Sequence, residues 1–295
     1  MRSMLFVPAD SEKKLAKSIG VGADVLILDL EDSVAASRRP VAREMATAFV
    51  ADARKAGTKS KLYVRMNPLD GGDWEADLAG VMAAGPDGII QPKTRSGEDV
   101  HKLSIALGHA ESQHGLKTGQ TRIFPIVTEV PISVLQMHTY VGSSTRLSGM
   151  SWGAEDLGAV VGSLANKDEH GQWTSPYRMV RDLCLFTASA AATEPIDTVF
   201  VNFRDTAGLI AEAKAAKRDG FTGKIAIHPD QVAPINEVFT PSAAELDHAK
   251  AVQGAFQQAG NMGVASLNGM MLDMPHLKLA ERVLSRARAA GIAGA

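Results

Sequence analysis

The sequence predicts an α/β protein built as a closed parallel (β/α)8 TIM barrel with a C-terminal helical extension. Three observations lead there. Short apolar runs alternate with longer, polar-studded segments at helical spacing, and the pair recurs eight times. The apolar runs are continuous rather than alternating, as expected of strands buried on both faces of a parallel sheet. The intervening segments tend to end in glycine, as at Gly20, Gly57, Gly85, Gly115 and Gly220, which suits a left-handed helix cap. A chain of 295 residues, 45% of them hydrophobic, is long enough to form such a barrel as one domain.

The first apolar run is SMLFVP (3–8), followed by helix-like SEKKLAKSIG. VLILDLED (25–32) precedes RRPVAREMATAFVADARKAG, and KLYVRMNP (61–68) precedes WEADLAGVMAAG. GIIQPK (88–93) leads into EDVHKLSIALGHAESQHG, and RIFPIVTEV (122–130) into PISVLQMHTYV. RLSGMSWG (146–153) is followed by AEDLGAVVG and a second helix around 175–193. DTVFVNFRD (197–205) precedes AGLIAEAKAAKRDG, and KIAIHP (224–229) precedes DQVAPINEVF. An open doubly wound sheet is the competing arrangement, but no G-x-G-x-x-G follows any strand, which weakens its dinucleotide-binding form. Residues 1–240 are therefore read as the barrel and 241–295 as an extension. In the extension, TPSAAELDHAKAVQGAFQQAG reads as a helix and VASLNGMMLDMP as an irregular segment. LKLAERVLSRARAAG reads as a second helix, with Leu277, Ala280, Val283, Leu284 and Ala287 on one face. Such a tail is expected to pack on the barrel or on a neighbouring subunit.

Composition excludes several classes. The net charge is −2, so nothing favours nucleic acid as a partner. One cysteine, Cys184, rules out a disulfide framework and points to a reducing, cytoplasmic setting. No run is long and apolar enough for a membrane helix, and the N-terminus lacks a signal-peptide pattern. The histidines form no H-E-x-x-H motif, and no serine sits in a G-x-S-x-G elbow. Cys184 lies in an apolar helix and reads as core.

In a barrel of this kind the C-terminal ends of the strands face the active site. Those ends offer Asp29, Glu31 and Asp32; Arg65 and Asn67; Lys93; Glu129; Glu155 and Asp156; Asn202, Arg204 and Asp205; and His228. A set this rich in carboxylates needs a cation. Hard oxygen donors with no cysteine and little histidine select Mg²⁺ or Mn²⁺. Glu129 and Asp156 end adjacent strands and can converge on one ion, although spacing alone leaves open that each caps the helix that follows. Lys93 could form a Schiff base, but nearby carboxylates would hold its pKa high, which fits charge neutralisation instead. With strand alternation, Asp29 and Glu31 share one face and Asp32 takes the other.

Nine segments in order carry a family resemblance: RSMLFVPAD, GADVLILDLEDSVA, YVRMNP, IIQPK, VTEVP, WGAEDLG, FRDTAGL, GFTGKIAIHPDQV and NGMMLDMPHLKLAERVL. The chain resembles the HpcH/HpaI aldolase and citrate lyase β-subunit family, and within it the CitE-like acyl-CoA lyases. The resemblance implies a (β/α)8 barrel that binds Mg²⁺ through Glu129 and Asp156. Glu31 and Asp32 then stand beside the ion and orient the groups around it. Arg65 is implied to contact the substrate carboxylate or thioester oxygen. Phe6, Lys13, Lys17, Ile227 and His228 are implied to contact the CoA handle, and Glu129 to meet the substrate at the ion. Asp273, in MLDMP, corresponds to the family's acid–base residue, on an extension that acts as a lid, often over a neighbouring subunit. A homo-oligomer, a trimer or hexamer, is implied, as is a lyase acting on a short β-hydroxyacyl-CoA of malyl-CoA or citramalyl-CoA type, giving an oxo acid and acetyl-CoA. The alternatives are a citrate lyase β-like subunit and a class II aldolase on free hydroxy-oxo acids. The chain departs from the usual pattern after Glu129, where Val130, Pro131, Ile132 and Ser133 replace Thr and an Arg-Gly or Arg-Ala pair. It departs again at Asn202, where many members carry Asp.

Overall fold

The computed structural model describes residues 1–260, 263–292 and 294. The chain divides into two compact units, Met1–Asn236 and Glu237–Ala295.

The first unit is a parallel (β/α)8 barrel. Its strands are β1 (Ser3–Pro8), β2 (Val25–Asp29), β3 (Lys61–Arg65), β4 (Gly88–Gln91), β5 (Arg122–Pro125), β6 (Gly149–Ser151), β7 (Glu194–Asp197) and β8 (Gly223–Ala226). The helices between and after them are α1 (Glu12–Ser18), α2 (Arg39–Lys55), α3 (Trp74–Val81), α4 (Gly97–Gln113), α5 (Pro131–Leu135), α6 (Ala154–Val161), α7 (Ser175–Ala190), α8 (Thr206–Asp219) and α9 (Val232–Phe239). The ladder runs β5-β4-β3-β2-β1-β8-β7-β6. Parallel bridges Ile123↔Leu147 and Ile126↔Ser151 join its two ends, so no edge is left open to another chain.

Alternation along each strand decides what fills the barrel. Met4, Val25, Ile27, Tyr63, Ile90, Phe124, Ile126, Ile196 and Ile225 form its interior cluster, with Phe6 packed against it. The other faces, such as Leu26 and Leu28, are equally buried, which is why these strands read as unbroken apolar runs. Following the interior face one step further brings Asp29 and Arg65 to the C-terminal mouth, and the two are register partners.

Toward the opposite end, a buried ion pair ties α4 to the loops that enter β5 and β6. Arg146 donates to both Glu111 oxygens at 2.7 Å, and the Gly119 and Thr121 amides donate to the same carboxylate. Burial alone would raise the Glu111 pKa, but these donors outweigh it and push it down to about 2. Because the folded pKa is depressed, the stability it confers is full above the unfolded value near 4.5 and is lost as pH falls toward 2. Glu111→Gln is therefore expected to lower stability by ~2–3 kcal/mol at pH 7, with the gap from wild type closing between pH 5 and about 2. Chemical denaturation across that pH range measures it; a gap independent of pH would sink the assignment.

Three sequence expectations are corrected. Strand β2 ends at Asp29, not at residue 32, because the Asp29 carboxylate accepts from the Glu31 and Ser33 amides and turns the chain out of the sheet. The alternation assigned to Glu31 and Asp32 therefore does not apply. Strand β7 is Glu194–Asp197, not 197–205; Pro195 masks it from a propensity reading, and the apolar VFV that follows is loop. Asn202, Arg204 and Asp205 are consequently exposed, and Asp205 caps α8 by accepting from Gly208 N.

The third correction lies in the second unit. VASLNGMMLDMP is not irregular: β9 (Val264–Leu267) and β10 (Met270–Asp273) pair antiparallel. Asn268 and Gly269 turn between them with φ of 52° and 78°, the two positive φ values that a two-residue hairpin turn requires. Helices α10 (Ala243–Gln258) and α11 (Met274–Ala289) complete the unit. Its own core contains Phe256, Ala265, Leu272, Ala280, Leu284 and Ala287, with Leu277 and Val283 packed against it. Among the described residues no helix is long and apolar enough to cross a membrane.

Candidate active site

The strand C-termini of the barrel surround a pocket of about 380 Å³. Phe6, Asp32, Arg65, Glu129, Asp156 and Ile227 all line it.

Arg65 is fixed from below and from the side. Its Nε and Nη2 donate to Asp29 at 2.6 and 2.7 Å. Its Nη1 lies 2.8 Å from Glu31 Oε2, and the guanidinium stands 4.5 Å over the Phe6 ring. Burial would lower its pKa, but Asp29 and Glu31 more than compensate and hold it raised. Asp29 is correspondingly held below the usual carboxylate range: burial pushes it up, and Arg65 pulls it further down.

Glu129 follows β5 and is buried. Its carboxylate accepts from the backbone N–H of Lys93, not from the start of α5, whose cap residue Val130 makes no side-chain cap bond. Gly153 closes over it; a Cβ there would come within 2.5 Å of Glu129 Cγ. Burial, then the charge of Asp156, pushes the Glu129 pKa up to about 8. Glu31 is pushed up to about 7, again mainly by burial. Asp156, in the first turn of α6, is one-third exposed and lies 3.3 Å from Lys93 Nζ.

Lys93 joins these groups. Its ammonium donates to Glu31 Oε1 and lies 3.0 Å from both Asp32 oxygens. Burial would lower its pKa, but the carboxylates hold it well above the lysine range. That favours neutralisation over Schiff-base chemistry.

Asp29, Glu31, Asp32, Glu129 and Asp156 thus face two cations, Arg65 and Lys93. Two of the carboxyls, Glu31 and Glu129, have raised pKa values, chiefly because they are buried and, for Glu129, because Asp156 stands beside it. The five carboxylates outnumber the two cations, so the mouth carries negative charge that a further cation would offset. Among the described residues no group of three or more His, Cys, Asp or Glu could hold an ion. The donor set fits Mg²⁺, which takes one or two carboxylates and leaves its other positions to water and substrate.

The remaining predicted residues lie elsewhere. Lys13 and Lys17 are exposed on α1, outside the pocket lining. His228 stacks on Phe203 at 4.7 Å and accepts from Asp230 N, beyond the lining. Asp273 belongs to the second unit, where it caps α11 and meets His276 Nδ1 at 2.6 Å. Sequence reasoning missed Gly153 and the commitment of Asp29 to Arg65. The Gly in WGAED beside a metal-type acid and the matched strand positions of Asp29 and Arg65 were the available signals.

A (β/α)8 barrel whose strand C-termini gather carboxylates around a fixed arginine in a pocket has the layout of a barrel enzyme. The sequence profile of the HpcH/HpaI aldolase/citrate lyase family matches residues 2–229, and the chain belongs to that family. It is 34% identical over 291 residues to the citrate lyase subunit beta of Haemophilus influenzae, covering 97% of each chain. It is 31% identical to the mitochondrial citramalyl-CoA lyase of Rattus norvegicus, covering 97% of this chain and 86% of that one. The crystal structure of CitE from Mycobacterium tuberculosis in complex with magnesium, acetoacetate and coenzyme A superposes with a TM-score of 0.77. It is 29% identical, with 97% of this chain and 98% of that one covered.

Proposed function

We propose that the protein is a Mg²⁺-dependent carbon–carbon lyase, with Mn²⁺ as an acceptable substitute. It would cleave a short β-hydroxyacyl-CoA of malyl-CoA or citramalyl-CoA type into an oxo acid and acetyl-CoA, or run the condensation. The observation that carries the reading is the carboxylate surplus at the pocket, with Glu129 and Asp156 as the residues that would hold the ion. The citramalyl-CoA lyase relative and the CoA complex of the CitE structure support the substrate class.

When bound, Mg²⁺ supplies Lewis-acid polarisation of substrate oxygens. The chain's own residues do the rest. Arg65, locked by Asp29, presents a preorganised positive charge to the thioester oxygen as negative charge develops there, without having to reorient. Phe6 beneath it and Ile227 at the rim form the apolar wall against the thioester. Glu31 and Asp32 fix Lys93 and so orient the acidic cluster. Residues 241–295 serve as the lid, from which Asp273 moves the proton at the acetyl carbon, within a homotrimer or hexamer. Lys13, Lys17 and His228 carry the CoA handle.

A panel of malyl-CoA, citramalyl-CoA and citryl-CoA with MgCl₂, scored for released oxo acid and acetyl-CoA, tests the reading on the purified chain. Turnover of one of the first two is expected. Cleavage confined to free hydroxy-oxo acids would replace it with an aldolase, and dependence on an acyl-carrier partner with a citrate lyase β subunit.

A further inference from the structure

Lys93 stands in the middle of the acidic cluster at the barrel mouth. Three features set it apart. Its side chain spans Glu31, Asp32 and Asp156, so one ammonium covers three carboxylates that come from two separate segments of the chain. Its backbone N–H holds Glu129. Its own φ is 50°, a left-handed conformation uncommon for a non-glycine residue. With that backbone, one residue meets Glu129 through its amide and Asp156 through its side chain.

We propose that Lys93 is the resident cation of the metal site. Its ammonium occupies the charge position of the divalent ion in the metal-free protein and withdraws from Asp156 toward Glu31 and Asp32 when the ion enters. The inference rests on the metal reading given above and concerns what that reading leaves open, namely how the acidic cluster stays folded without metal.

The contacts are graded in the way this exchange needs. Glu31 is buried, accepts a hydrogen bond from Lys93 and also touches Arg65, so it retains the ammonium. Asp32 takes both of its oxygens to 3.0 Å of the ammonium from an exposed position. Asp156 is the most distant partner, at 3.3 Å, and makes an ion pair without a hydrogen bond. It is the contact that breaks at least cost. Glu129 is bound by the amide rather than the ammonium, so its second oxygen stays available for an ion when the side chain swings. Uptake of the ion is then a competition between two cations for Asp156, and Lys93 weakens metal affinity while stabilising the empty site.

The sign of this effect separates it from a structural role. A lysine that merely builds the site would weaken metal binding when removed. A competing cation would strengthen it, since it repels the ion at short range. Calorimetric titration of MgCl₂ into the full metal-free chain at fixed ionic strength reads the difference. Lys93→Met is expected to bind Mg²⁺ about tenfold tighter than wild type, a difference of about 1.4 kcal/mol. Its metal-free melting temperature is expected to fall by several degrees and to return to the wild-type value in saturating Mg²⁺. Lys93→Arg, which keeps the charge, should restore wild-type metal-free stability and abolish the gain in affinity. If the metal-free Lys93→Met chain unfolds, Lys93→Gln gives the same reading with a polar replacement. Affinity unchanged or weakened in the neutral variants overturns the proposal. Asp156→Asn serves as the control: if it abolishes Mg²⁺ uptake while the neutral variants bind no tighter, only the role of Lys93 falls. If wild type and neutral variants take up no Mg²⁺, the metal reading falls with it.

Discussion

Glu129→Gln is expected to lower kcat/KM with MgCl₂ by about 10³-fold or more, while making the metal-free protein more stable at pH 8. The two effects have one cause. Glu129 is buried beside Asp156, and its folded pKa is pushed up to about 8. A carboxyl whose folded pKa is raised disfavours the fold once pH exceeds its unfolded value, and the penalty grows until pH reaches the folded pKa. Glutamine removes that penalty and still accepts from the Lys93 amide. The charge that destabilises the empty fold is the one that would hold the ion. Asp156→Asn should abolish metal-dependent turnover in the same way. Steady-state kinetics with melting curves at pH 5 and pH 8 measure both arms. Full turnover in either variant would remove that residue from the reaction. A Glu129→Gln chain less stable than wild type at pH 8 would mean that the carboxylate is a structural one.

Much of this architecture is legible because barrel strands have to be apolar on both faces. VLILD and KLYV announce themselves by composition, and their register then sets Asp29 against Arg65. Legibility fails where the backbone departs from its local preference. β7 is hidden by Pro195, while the more strand-like VFV beside it is loop. The Asn268-Gly269 turn was present in the sequence as a hairpin signal, but the short flanking strands, VASL and MMLD, are too weakly alternating to frame it. At the site, residue types pointed to a cation and to Glu129 and Asp156, yet the choice between ligand and helix cap depends on where a carboxylate turns. For Glu129 it turns to the Lys93 amide, 36 positions away, and not to the start of α5. Gly153 is legible only once Glu129 is in place, because its lack of a side chain is what lets the strand-end loops close over the acid. Asp29 looks equivalent to Glu31 and Asp32 in the sequence, and the difference arises from the early end of β2, which leaves Asp29 under Arg65 and turns the other two toward Lys93, with Glu31 shared between both cations.

That division of labour makes Arg65 the residue whose loss should do most damage to fold and reaction together. Arg65→Met strips the cationic partner from Asp29, which is 1% exposed, and leaves Glu31, which is 2% exposed, with Lys93 as its cation. Removing one member of such a buried pair costs about 3–5 kcal/mol, and kcat/KM should fall by about 10³-fold as the positive charge above Phe6 disappears. A double variant separates the two effects. In Arg65→Met with Asp29→Asn, the stranded charge goes too, and the side-chain carbonyl of the introduced asparagine can still accept from a turn amide that Asp29 now holds. Stability should therefore recover most of the way, because deleting both partners costs far less than deleting one. Activity should not recover, since among the described residues no other arginine or lysine lines the pocket to replace the guanidinium. Urea unfolding and kcat/KM on the same four proteins of the cycle give the coupling energy and the kinetic loss side by side. If turnover returned with stability in the double variant, Arg65 would matter for holding Asp29 buried and not for the substrate; if Arg65→Met were as stable as wild type, the ion pair at the base of the pocket would carry no folding energy.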